Sequence, residues 1–100
     1  MEPTIHGYVS QRLNLNYVTW GKKDAPTVIL IHGGRDHARN WDRTAVSLST
    51  KYRVIAPDLR GHGDSDWAEG GSYSIIDYVL DINALFKAVG IQEASIIGHS

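Results

Sequence analysis

The chain has 100 residues, of which 42% are hydrophobic and 21% are charged, and its 10 basic and 11 acidic side chains give a net charge of −1. This near-neutral balance lacks the basic excess of proteins that bind nucleic acid or anionic membranes, so we expect neither partner. The chain has no cysteine, which excludes disulfides and thiolate metal sites.

The N-terminal residues, MEPTIH, contain neither the basic start nor the apolar segment of a secretory signal. No apolar stretch approaches the roughly 20 residues that span a bilayer. These features favour a cytoplasmic protein. They leave its oligomeric state open.

The first half of the chain predicts three strands. Residues 8–20, YVSQRLNLNYVTW, alternate apolar and polar side chains from Leu13 onward, which indicates a hairpin of half-buried strands. Residues 27–31, TVILI, are apolar without alternation, as in a strand covered on both faces. We therefore expect the third strand to lie inside a sheet.

Helices and strands alternate in the rest of the chain. Residues 40–50 have helical apolar spacing, with Asp36 or Asn40 available as the N-cap. Residues 53–56 form a second buried strand, and residues 59–72 form an irregular loop. The apolar positions that predict the first helix are Trp41, Ala45 and Leu48.

A second, stronger helix follows that loop. Residues 74–77, SIID, have the form of a capping box, and Gly90 stands where a left-handed C-terminal cap belongs. Residues 94–97 form a last strand. The apolar face of the helix is predicted to contain Ile75, Tyr78, Val79, Ile82, Leu85, Phe86 and Val89.

This order of elements predicts the α/β class. Strands that alternate with helices form a parallel sheet with right-handed crossovers, and the N-terminal hairpin adds antiparallel strands. Loops at the carboxyl ends of parallel strands share one edge of the sheet, where ligands bind. Three such loops are residues 32–35, 57–60 and 98–100, so a glycine turn and Ser100 are expected at one edge.

The last three residues, Gly98-His99-Ser100, match the first half of the G-x-S-x-G nucleophile elbow. In that motif a sharp strand-to-helix turn exposes a serine hydroxyl, which attacks a carbonyl carbon. Negative charge then builds on the carbonyl oxygen, and backbone N–H groups must point at it. Glycines permit the close approach that this requires.

Three segments in this order carry a resemblance: IHGG at residues 31–34, IAPDLRGHGDS at 55–65, and GHS at 98–100. From about residue 8 the chain resembles the N-terminal third of an α/β-hydrolase. It is most similar to the group of serine esterases, carbon–carbon bond hydrolases and epoxide hydrolases. The resemblance implies a mostly parallel sheet with antiparallel N-terminal strands and helices on both faces, incomplete in this chain.

The resemblance also implies roles for individual residues. Ser100 is the nucleophile, and Gly34, beside Gly33, donates one N–H of the oxyanion hole. His32 is then a structural histidine that braces the glycine turn, and His99 packs against the sheet. Epoxide hydrolases and haloalkane dehalogenases of this fold carry aspartate at the nucleophile position, so serine favours acyl-enzyme chemistry.

Other residues near the edge admit two interpretations. Trp41 either lines the acyl pocket or is the first core residue of its helix. Arg35 either meets a substrate carboxylate or is only solvated, and the second is favoured. Asp58 and the acidic residues after it lack the ligand spacing of calcium or zinc sites, so capping and salt bridges within the loop are favoured.

The sequence therefore predicts a serine hydrolase that cleaves a carboxylic ester, lactone or related acyl substrate through an acyl-enzyme at Ser100. The alternatives are a carbon–carbon bond hydrolase and a ligand-binding receptor of the same fold with little turnover. No metal or organic cofactor is expected, and the partner is a small acyl substrate.

The catalytic set is expected to be incomplete within this chain. In this fold the acid and the basic histidine follow the nucleophile, and no histidine follows Ser100. We expect residues 1–100 to be the N-terminal part of a single domain of about 250–300 residues. The 100-residue piece alone is expected to be inactive and poorly folded.

Overall fold

A computed structural model describes residues 2–99 as one mixed sheet with helices on its two faces. A turn of 3₁₀ helix, Ala38–Trp41, precedes the first α-helix. The strands are β1 (Thr4–Ser10), β2 (Leu13–Trp20), β3 (Thr27–Ile31), β4 (Arg53–Pro57) and β5 (Ser95–Gly98), and the helices are α1 (Asp42–Leu48) and α2 (Ile75–Val89).

The sheet has the strand order β1-β2-β4-β3-β5, in which β3 runs parallel to both β4 and β5. From β3 the chain passes through α1 to β4 on one side, and then through α2 to β5 on the other side. Right-handed crossovers in opposite directions put their helices on opposite faces of a sheet. The α/β class and the helices on both faces are thus confirmed.

The N-terminal hairpin begins earlier than the sequence predicted. β1 starts at Thr4 rather than at residue 8, and it pairs antiparallel with β2 along its whole length. β1 does not bury its aliphatic side chains. Ile5 and Val9 are exposed on one face, whereas Tyr8 and Ser10 are buried on the other. Alternation of buried apolar and exposed polar side chains therefore could not predict the first residues of this strand.

One face of the sheet packs against α1. Ala45 is fully buried there, and Trp41 and Leu48 pack against the same core. The predicted cap was wrong, since neither α1 nor the 3₁₀ turn has a side-chain cap. Asp36 instead accepts hydrogen bonds from the His37 N–H (2.8 Å) and from the side-chain amide of Asn40.

The other face packs against α2, whose predicted ends are confirmed. Ser74 and Asp77 form the capping box, and Gly90 ends the helix in the left-handed conformation at φ 78°. Leu85 is buried in the core of this face. The predicted apolar face is only partly covered, because Ile75 and Val79 near the start of α2 are exposed.

Neither helix in residues 2–99 has the length and the apolar character that crossing a membrane requires.

Candidate active site

The carboxyl ends of β3 and β5 lie side by side. Ile31 is paired with Gly98, and the His99 N–H continues the ladder by donating to the Ile31 carbonyl (3.1 Å). Ser100 lies outside the described residues. The chain therefore reaches the predicted nucleophile from a strand that is in register with the one leading into the glycine turn.

The turn after β3 has one residue in an unusual conformation. It is Arg35, at φ 63°, and not either glycine of the pair. Gly33 is buried, whereas Gly34 is exposed and a Cβ added to it would meet no atom within 4 Å. No contact within residues 2–99 requires glycine at position 34, so the open space above it is free for a ligand.

His32 is buried, and both of its ring nitrogens are engaged. The backbone N–H of Leu59 donates to Nε2 (3.0 Å), so Nε2 accepts and the proton is on Nδ1. Nδ1 then donates to the Gly33 carbonyl (2.7 Å). Burial lowers the pKa of His32 below its ordinary value of 6.5, which keeps the ring neutral. The geometry suits a brace for the turn and leaves no nitrogen for proton transfer.

Asp58 is buried at the end of β4 and accepts three hydrogen bonds. Oδ1 accepts from the Ala38 N–H (2.7 Å), and Oδ2 accepts from the Asn16 side-chain amide (2.9 Å) and the Asp64 N–H (3.0 Å). Both carboxylate oxygens are thus occupied by donors of the protein. This geometry fits the capping interpretation of Asp58.

Two consecutive residues after β4 therefore hold both ends of the loop after β3. Leu59 holds His32 at the start of that loop, and Asp58 holds Ala38 at its end. Gly33, Gly34 and the left-handed Arg35 lie between these two fixed points. The turn is positioned by β4 and its loop as well as by its own strand.

A buried ion pair that the sequence did not predict joins this loop to α2. Arg60 donates from Nε and Nη2 to the two carboxylate oxygens of Asp81, both at 2.7 Å, and Arg60 and Asp81 are 2% and 1% exposed. Ser10 also donates to Asp81 (2.6 Å), and Nη1 of Arg60 donates to the Ser72 carbonyl (2.8 Å). The available signal was a lone aspartate on the inward face of α2, since a charge there needs a buried partner.

The remaining predicted residues lie around the turn. Trp41 packs against the core, and this packing fits the core interpretation. Its Nε1 is buried without a hydrogen-bond partner among residues 2–99. Arg35 is exposed. His99 is exposed among residues 2–99, and its packing in the whole domain stays a prediction.

No group of three or more histidine, aspartate or glutamate side chains in residues 2–99 is arranged to hold a metal ion. Asp58 and Asp66, two of the acidic residues after β4, use their carboxylate oxygens for hydrogen bonds within the protein. Asp66 accepts from the Asn14 N–H (2.8 Å), and Ser65 links the Asn16 N–H to the Asp58 carbonyl. Hydrogen bonds within the protein account for this loop.

Known proteins are similar to this chain in sequence. The chain is 40% identical over 92 residues to a non-heme chloroperoxidase of Streptomyces lividans, covering 91% of this chain and 33% of that protein. It is 34% identical over 97 residues to a bifunctional esterase/perhydrolase of Acinetobacter calcoaceticus, covering 94% of this chain and 35% of that protein.

A solved structure shows the same likeness. The epoxide hydrolase VrEH1 of Vigna radiata superposes with a TM-score of 0.92 at 30% identity, covering 99% of this chain and 32% of that one. The chain spans about a quarter to a third of the lengths of the curated relatives it matches. Residues 26–100 match the family model of the alpha/beta hydrolase fold, and the chain belongs to this family.

Proposed function

We propose that the protein is a serine hydrolase that cleaves a carboxylic ester, lactone or related acyl substrate, with Ser100 as the nucleophile. The observation that carries the proposal is the pairing of Ile31 with Gly98, which joins the glycine turn and the strand before Ser100 at one edge. Ser100 follows Gly98 by two residues in the sequence, and Gly33 follows Ile31 by two residues.

The proposed reaction has two steps. Ser100 Oγ bonds to the substrate carbonyl carbon, its proton passes to a base, and the bond to the leaving alcohol breaks as that alcohol takes a proton. Water then attacks the acyl-enzyme and releases the acid. The Gly34 N–H stabilises the negative oxygen of each tetrahedral intermediate, because its peptide is already held by His32.

The base lies outside residues 2–99 in this proposal. His32 has both ring nitrogens engaged, so neither is free to take the serine proton. The full-length protein would supply the acid and the histidine after the nucleophile, the order usual for this fold. Residues 1–100 therefore contribute the nucleophile and half of the oxyanion hole.

The relatives include an esterase/perhydrolase and epoxide hydrolases, and the residue at the nucleophile position favours ester cleavage. The esterase/perhydrolase is a relative whose name includes cleavage of an ester. Epoxide hydrolases also match, but their chemistry forms an alkyl ester with an aspartate, and this chain has serine at that position. Serine is the nucleophile suited to acyl transfer.

The test is covalent labelling of the full-length protein by a fluorophosphonate. We expect wild-type protein to be labelled at Ser100, and Ser100→Ala to lose both labelling and ester hydrolysis, the latter by about 10³-fold or more. The matched control is Ser95→Ala, an exposed serine at the start of β5, which should keep both. An unlabelled wild-type protein with an intact fold would refute the proposal and favour a ligand-binding receptor.

A second activity is suggested by the names of two relatives, a chloroperoxidase and an esterase/perhydrolase. In it, hydrogen peroxide replaces water as the acceptor of the acyl group. The acyl-enzyme and peroxide then give a peracid and free Ser100. The test measures oxidation of a halide or dye. This activity is supported if the oxidation requires both peroxide and a carboxylic ester, and if Ser100→Ala abolishes it.

A further inference from the structure

A buried network of charged side chains joins the loop after β4 to α2, and it has no part in the proposed hydrolysis. Asp81 projects from the middle of α2 and accepts two hydrogen bonds from Arg60 and one from Ser10. Nη1 of Arg60 donates to the Ser72 carbonyl and also lies 3.9 Å from a carboxylate oxygen of Asp77. Replacing a buried ion pair by apolar side chains is often neutral or stabilising, so stability alone does not explain such a pair. In some proteins buried polar or ionic groups instead serve to fix one conformation.

The network is connected to the glycine turn through the backbone. Arg60 immediately follows Leu59, whose N–H donates to His32 Nε2 (3.0 Å). A guanidinium fixed on both carboxylate oxygens and on a carbonyl limits how far the Leu59–Arg60 peptide can move. The Leu59 N–H belongs to the preceding peptide, whose Asp58 carbonyl accepts a hydrogen bond from Ser65 (2.6 Å). Leu59 is thus held on both sides. The Leu59 N–H therefore stays directed at His32, which selects the tautomer with its proton on Nδ1.

His32 in turn fixes one peptide unit. Its Nδ1–H holds the Gly33 carbonyl (2.7 Å), and that carbonyl belongs to the same planar trans peptide as the Gly34 N–H. The two groups point in opposite directions across the peptide. Holding the carbonyl at the buried His32 therefore directs the N–H of the exposed Gly34 away from His32.

We propose that Arg60 and Asp81 are positioning residues for the oxyanion donor, acting through the Leu59 amide and His32 on the peptide between Gly33 and Gly34. This inference rests on the proposed function for its kinetic consequence. Its structural part, that the ion pair selects the His32 tautomer, stands independently. Neither residue contacts the substrate.

The test removes the ion pair without leaving a buried charge. The double variant Arg60→Met/Asp81→Leu replaces it with apolar side chains of similar size in the full-length protein. The matched control, Arg39→Met/Asp42→Leu, removes an exposed ion pair in the same way. The measurements are kcat and KM for a chromogenic ester, and the ¹⁵N chemical shifts of the His32 ring.

We expect kcat of Arg60→Met/Asp81→Leu to fall by about tenfold or more while KM changes by less than about threefold, since an oxyanion donor acts on the transition state. The His32 shifts should change from one tautomer to a mixture. The control should leave kcat, KM and the His32 shifts as in wild type. A folded double variant with unchanged kcat and unchanged His32 shifts would overturn the proposal.

A second variant serves if the double variant does not fold. Arg60→Lys keeps the charge beside Asp81 but cannot make the two-pronged contact. It should reproduce the mixed His32 tautomers, and wild-type shifts in a folded Arg60→Lys protein would overturn the proposal. If wild-type protein hydrolyses no ester, the proposed function fails, and the His32 shifts still decide the structural inference.

Discussion

The loop after β4 and the strand β5 both carry motifs that identify the family, but the structure holds them in different ways. In the loop, Asp58, Arg60 and Ser65 are buried and each makes hydrogen bonds to other elements. In β5 all four residues are exposed, with Ile96 at 53%, and the strand pairs with β3 alone within residues 2–99.

This difference separates two requirements of the candidate site. The orientation of the glycine turn depends on the loop after β4, which pins both His32 and Ala38. The position of Gly98, two residues before the proposed nucleophile, depends on the register between β3 and β5. A change in the loop should therefore lower the stability of the fold and disturb the turn that carries the proposed oxyanion donor.

Asp58→Ala has the largest expected effect on stability. It removes the acceptor of three hydrogen bonds and leaves the Ala38 N–H buried without a partner. We expect a loss of about 3 kcal/mol or more in the free energy of unfolding, measured by urea denaturation. Asp24→Ala, at an exposed position, is the control and should change it by less than about 0.5 kcal/mol. Equal losses in the two variants would contradict the claim that the hydrogen bonds of Asp58 stabilise the fold.

Gly63→Ala should come next. Gly63 has φ 50°, and an added Cβ would lie 2.4 Å from the Asp58 carboxyl group. We expect a loss of about 2 kcal/mol in the free energy of unfolding. Gly70→Ala isolates the backbone cost, because Gly70 has φ 82° with nothing within 4 Å, and it should lose only about 1 kcal/mol. A Gly63→Ala protein as stable as Gly70→Ala would mean that the loop adapts freely.

Ser74→Ala should have a moderate effect, since it removes one half of the capping box of α2. The Asp77 N–H loses its side-chain acceptor, and Asp77 loses a hydroxyl donor. We expect a loss of about 1 kcal/mol. Ser72→Ala is the control, because Ser72 uses its backbone carbonyl and not its hydroxyl to hold Arg60. A Ser72→Ala effect as large as that of Ser74→Ala would argue against the cap.

The smallest expected effect is on the pH dependence of stability. The folded pKa of His32 lies below its ordinary 6.5, so below pH 6.5 the unfolded state takes up the proton more readily. The stability that the neutral His32 ring contributes to the folded state is therefore present in full above pH 6.5. It is lost as the pH falls from 6.5 through the folded pKa of His32. We expect His32→Gln to show a weaker loss of stability between pH 7 and pH 5 than wild type. An identical pH profile would mean that His32 is not constrained as described.

The sequence predicted much of the fold because its signals are local. The unbroken apolar runs of β3 and β4 identify strands that are covered on both faces. Ser74 with Asp77 and Gly90 mark the two ends of α2 by backbone chemistry alone. The glycine turn and the motif ending at Ser100 follow strand ends, so the parallel order of strands was enough to predict that they share an edge.

The parts that were missed depend on contacts between distant residues. β1 turns Tyr8 and Ser10 inward and Ile5 outward, because its inner face meets Asp81 and Tyr17 rather than only aliphatic side chains. The pinning of Ala38 by Asp58 links residues twenty positions apart. No local periodicity encodes such pairs, and only the fold brings them together.

The central claim is tested most directly by a crystal structure of the full-length protein after reaction with a phosphonate ester, whose phosphoryl oxygen mimics the negative oxygen of the intermediate. The account predicts a covalent bond from Ser100 Oγ to phosphorus, with that oxygen about 2.7–3.1 Å from the Gly34 nitrogen. It also predicts that His32 still holds the Gly33 carbonyl. An adduct on another residue, or an oxygen directed away from the glycine turn, would contradict the account.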